Sequence, residues 1–103
     1  MFALHVLYNQ PEDPAAFDKH YNEVHSKIAA QIPGVSSYSA IWCAPGPDGA
    51  AAPYYMVATL EAESADALNA AMGSEQGQAA TADLPNFAGA GVAFLSGDST
   101  RYV

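Results

Sequence analysis

The chain has 103 residues, half of them apolar, and its three lysines and arginines against 11 acidic residues leave a formal charge of −8. That length makes one domain, residues 1–103, able to bury roughly two-thirds of its unfolded surface, while the acidity excludes nucleic acid and anionic membrane, whose phosphates nothing here neutralises. No apolar run nears the ~20 residues of a membrane span, no basic leader precedes an apolar segment, and the lone Cys43 cannot form an internal disulfide, so the expected location is cytoplasmic.

Phe2 to Tyr8 is a β-branched and aromatic run that predicts a strand, closed by Asn9-Gln10-Pro11. His5 sits alone among its apolar neighbours. Asp13 can cap the next element and Pro14 suits a first helical position, so the pattern predicts a helix from Pro14 to about Gln31, stopped by Pro33-Gly34. At about 100° per residue, Phe17, Tyr21, Val24, Ile28 and Ile32 form the buried stripe, with Lys19, Glu23 and Lys27 on the solvated side. Val35 to Ala44 and Tyr54 to Leu60 read as two further strands, joined by a Pro/Gly/Ala loop. Ser64 and Ser74 can cap two short helices, through Met72 and through Ala82. Leu84-Pro85-Asn86 then turns the chain into a last strand from about Gly89 to Ser96. The order β-α-β-β-α-β is that of the ferredoxin-like fold, a four-stranded antiparallel sheet with helices on one face.

The strands carry apolar residues on both faces, yet helices can cover only one. The uncovered face predicts a homodimer in which two sheets stack, because an exposed apolar patch of that size is rare on monomers.

The first helix carries the candidate chemistry. On a straight helix His25 lies about 60° to one side of the stripe and His20 about 75° to the other, both at the boundary of the core. A partly desolvated imidazole there can act as general base or acid, and Tyr21 lies one turn before His25 on the same side. The alternative for His25 is a bond to a nearby carbonyl that merely closes the seam between helix and sheet. About 140° apart, His20 and His25 should not share a metal, and no other ligand cluster exists; no metal and no cofactor are expected. His5 points into the same cavity if Ala3, His5 and Leu7 face the helices; in the other register it lies in the dimer interface. Tyr38, Trp42 and Tyr54 could wall an aromatic substrate, although a tryptophan on a strand is more often core.

Phe17-Asp18-x-His20-Tyr21-x-x-x-His25, Ile32-Pro33-Gly34 and Tyr38 resemble the first motif of the EthD family, named for ethyl tert-butyl ether degradation. Ser74 to Ala80 and Asp83-Leu84-Pro85-Asn86-Phe87-Ala88 resemble its second. Where the family often has proline and leucine after the histidine, this chain has Ser26-Lys27-Ile28. The resemblance implies a dimeric α/β barrel and an association with oxidoreductase systems of monooxygenase type. In the wider superfamily the ligand often lies between sheet and helices, which here implies an apolar or aromatic small molecule beside Tyr21 and His25. Fold alone does not choose between a cofactor-free enzyme and a non-catalytic accessory dimer that binds a hydrophobic metabolite.

Overall fold

The computed structural model describes all 103 residues. Strand β1 (Phe2–Tyr8) forms where alternation demands it, burying Leu4, Val6 and Tyr8 on one side while His5 is exposed on the other. It pairs antiparallel with β3 (Met56–Ala62), Leu4 opposite Leu60 and Val6 opposite Ala58, and with β4 (Val92–Asp98), Val6 opposite Phe94. Strand β2 (Ser37–Trp42) joins the outer edge of β3, so the sheet runs β2-β3-β1-β4. This is the ferredoxin-like α+β fold, with an open sheet that does not close into a barrel within one chain. Strands 2, 3 and 4 are shifted from their expected limits, and Tyr54 falls in the loop before β3. No helix is long and apolar enough to cross a membrane.

Helix α1 begins as its sequence requires: Asp13 accepts from the Ala16 N–H at 3.1 Å and Pro14 is the first helical residue. It does not stay regular. After Pro14–His20 the backbone widens into a π-helical turn, Tyr21–His25, and resumes as α-helix over Ser26–Ala29, with the Ser26 N–H donating to the Tyr21 carbonyl. The last turn tightens, Gln31 donating to Ile28 and Ile32 to Ala29, and Gly34 at φ 82° turns the chain toward β2.

The widened turn moves the buried stripe. Phe17, Tyr21 and Ile32 are buried as expected, but between them the core side is His25 and Ala29, and Val24 is 40% exposed. One residue absorbed into the π turn advances every later position around the axis, so His25 moves from the margin to the middle of the interface.

Helix α2 (Ala65–Gly73) is capped by Ser64, and α3 (Glu75–Asp83) by Ser74, whose hydroxyl accepts from the Gly77 N–H while donating to the Ala71 carbonyl. Gly77 is glycine because a Cβ there would lie 2.3 Å from the Ala71 carbonyl oxygen, so the two helices meet through bare backbone. Alanines 58, 62, 71 and 80 supply thin, buried contact surfaces that let the helices lie close to the sheet. A short 3₁₀ turn, Leu84–Asn86, follows α3 and sends the chain toward β4.

Candidate active site

Helix α3 ends on Asp83, a buried carboxylate at the helix end where the backbone dipole disfavours negative charge. Three side chains compensate. His25 Nδ1 lies 3.0 Å from Oδ2, His20 Nε2 lies 2.9 and 3.0 Å from the two oxygens, and Asn86 Nδ2 donates to Oδ1 at 2.9 Å. Burial would raise the Asp83 carboxyl, but the bonds from Asn86, His20 and His25 outweigh it and hold the pKa below the usual carboxylate value. The group is therefore an anion at neutral pH.

This arrangement corrects the straight-helix geometry. Residues five apart diverge by about 140° in an α-helix but come into line across a turn whose bonds run i to i+5. The π turn thus aims His20 and His25 at one acceptor, the Asp83 carboxylate. No group of three or more His, Cys, Asp or Glu side chains is arranged to hold a metal ion.

His25 is 5% exposed, and burial pushes its pKa down, with the bond and charge of Asp83 opposing only in part. A neutral ring beside an ionised carboxylate donates through Nδ1 and leaves Nε2 as an acceptor. Nε2 has no protein partner, and because no fully buried polar side-chain atom in the chain lacks one, this nitrogen is not completely enclosed. His25 is among the residues lining an apolar cavity to which the sheet and helices α1, α2 and α3 all contribute.

The cavity is walled by Leu4, Val6 and Tyr8 of β1, by Ala58 and Leu60 of β3, and by Tyr21, His25 and Ala29 of α1. Tyr38, Met72, Leu84 and Phe94 also line it, and no lysine or arginine takes part. Only about 40 Å³ of it is wide enough for the centre of a water molecule. That is room for about three waters, so a larger guest must displace side chains. Phe94 is 52% exposed on the edge strand, and Met72 carries an unbranched, adaptable side chain.

Tyr21 and Tyr38 bring their hydroxyls to 2.5 Å, and the Tyr21 ring lies 5.2 Å from that of His25. Burial raises both phenols, and the bond to Tyr38 raises Tyr21 further, while Tyr38 is eased by its bond to Tyr21. Both are neutral at ordinary pH. Two hydroxyls sharing one bond leave one hydrogen free to donate to a ligand oxygen. Phe87 roofs the histidines, nearly parallel to His20 with ring centroids 5.2 Å apart and 4.7 Å from His25.

Of the residues expected at the site, Tyr21, His25 and Tyr38 are brought together. His5 is not: its ring is on the sheet face away from the helices, bonded to Thr59 Oγ1 at 2.8 Å. Trp42 does not line the cavity; its ring edges pack against Phe17, Tyr21 and Tyr55, and it is 42% exposed. Tyr54 also lies outside the lining. Asp83, the acceptor that organises the site, was legible only as part of the Asp83-Leu84-Pro85-Asn86-Phe87-Ala88 motif. The five-residue spacing of the two histidines was the other available signal.

The EthD domain family matches residues 9–91. An uncharacterized 11.0 kDa protein of the thcB–thcC intergenic region of Rhodococcus erythropolis is 41% identical over 98 residues, 95% of this chain and 94% of that protein. The crystal structure of an ethyl tert-butyl ether degradation (EthD) family protein from Bacillus halodurans superimposes with a TM-score of 0.91 at 30% identity, covering 97% of this chain and 99% of that one. A dimeric ferredoxin-like protein of unknown function from Thermobifida fusca shares the fold, with a TM-score of 0.69 at 17% identity over 95% of this chain and 90% of its own. On the family match and the two closer relatives together, the chain belongs to the EthD family.

Proposed function

We propose that the chain binds a neutral apolar or aromatic molecule bearing a carbonyl or phenolic oxygen between α1 and the sheet, and that His25 takes a proton from it. The observation that carries this reading is a neutral, carboxylate-oriented imidazole whose Nε2 is left without a protein partner at the wall of an apolar cavity. The Tyr21–Tyr38 pair donates to the oxygen on which charge develops. The absence of cationic residues in the lining favours neutral ligands over carboxylates or phosphates. Proton removal makes such a substrate electron-rich, a first step compatible with the monooxygenase-type pathways associated with the family and needing no resident cofactor.

The same reading includes a homodimer. The sheet face opposite the helices leaves Ile41 64% and Leu95 57% exposed, with Leu7 and Val57 between them on the central strands. A second copy stacked there covers these side chains, and the Thermobifida fold relative is described as dimeric.

The test is titration with a bicyclic phenol such as 2-naphthol, followed by a turnover screen of bicyclic phenols and ketones with and without oxygen. Saturable binding is expected, and His25→Ala should lower any turnover by about 10² to 10⁴-fold while the fold is retained. Binding without conversion would assign a carrier instead. Absence of binding, or binding and turnover indifferent to His25→Ala and Tyr21→Phe together, would overturn the reading.

A further inference from the structure

His20 takes no part in the cavity, yet the π turn commits its ring to the same carboxylate as His25. Both imidazoles reach Oδ2 of Asp83, at 3.0 Å each, and His20 also holds Oδ1 at 2.9 Å. The two rings differ in access. The His20 side chain is 26% exposed and meets bulk water, whereas that of His25 is 7% exposed. One carboxylate carries one negative charge, and two protonated rings cannot both be neutralised by it.

We propose that His20 is a positioning residue that sets the basicity of His25 through their shared carboxylate, Asp83. With a proton on His20, the charge of Asp83 is already matched and His25 stays a free base toward the cavity. With His20 neutral, the whole charge of Asp83 is available to an imidazolium at His25.

The surroundings leave this coupling unopposed. The other ionisable groups lining the cavity with His25 are the phenols of Tyr8 on β1, Tyr21 on α1 and Tyr38 on β2, each raised chiefly by burial and so neutral. Asp83 on α3 is the single anion in contact with the ring, and Asn86 beside it is uncharged. The charge of His20 is itself among the influences that lower His25.

The inference rests on reading His25 as the cavity-facing base, but its test needs no ligand. The ring signals of His25 in the ¹⁵N-labelled full chain are followed through a pH titration by NMR, with the amide spectrum reporting the fold. In the unmodified protein the His25 curve should show a second inflection, the mark of coupling to another ring on the same carboxylate. His20→Phe, which retains a ring to stack on Phe87, should abolish that inflection and raise the proton affinity of His25 about tenfold, the scale of one charge acting through a partly buried contact. Asp83→Asn should lower the affinity. Loosened packing would hydrate the ring and raise its affinity in both variants, so the opposite signs separate tuning from damage. If His20→Phe does not fold, His20→Gln keeps a donor without a titrating charge and carries the same expectation. An unchanged His25 curve in the folded His20 variant, or shifts of the same sign in the two variants, would overturn the inference. That failure would leave ligand binding untouched, and failure to bind ligands would leave the titration result standing.

Discussion

The two faces of the one sheet have opposite fates. On the helix side Met56 and Ala62 are fully buried and Tyr8 nearly so, and aromatic rings, small alanines and one complete polar cluster fill the layer. On the other side the same strands present His5 and Thr59 bonded to each other, with Ile41 and Leu95 more than half exposed. Apolar residues on the two faces therefore stand in different surroundings. One face builds the domain and its candidate site, and the other has no cover within the chain.

The largest way to break this contrast is at the polar cluster. Asp83→Ala removes the acceptor of two imidazoles and of Asn86 and should cost about 3 kcal/mol in urea unfolding, since buried donors left without partners each carry about 1–3 kcal/mol. The same substitution should flatten the acid limb of the stability curve. Asp83 has a lowered folded pKa, so its contribution is present above the unfolded value of 3.8 and fades as pH falls through the folded one. His25 is also lowered, so its contribution is complete above 6.5 and shrinks as pH falls below that value, where the unfolded chain takes up a proton first. A cost below about 1 kcal/mol would mean that the cluster is peripheral to folding.

The open face is probed by charge. Leu95→Lys should change monomer stability little, by about 0.5 kcal/mol or less for an exposed site, but should halve the mass measured by light scattering at micromolar concentration. A monomeric mass for the unmodified chain would remove the homodimer from the proposal.

The smallest effect tests the register beyond the π turn. Val24→Ala should fall within about 0.5 kcal/mol of the parent because Val24 is exposed, whereas a core valine would cost more. A large loss there would place the stripe back on the regular helical path.

Much of the fold was legible because its signals are local. Asp13 and Pro14 start α1, Ser64 and Ser74 cap α2 and α3 as their spacing indicated, and β1 spans Phe2 to Tyr8 as its alternation required. These depend on neighbours a few residues away. Boundaries without a cap, as in β2 and β3, drifted by about two residues because pairing with β1 and β3 sets them.

The candidate site was only half legible. Tyr21, His25 and Tyr38 line one cavity, while the face taken by His5 depended on strand register, which a one-residue slip would reverse. A uniform helical wheel also missed the shared partner of His20 and His25. Residue types alone determined the element order, the capping, and a helix that carries a phenol and two imidazoles. Only the folded chain decided that a π turn would bring both imidazoles to Asp83, because that carboxylate arrives from 58 residues away and its hydrogen bonds exist only once α3 has packed against α1.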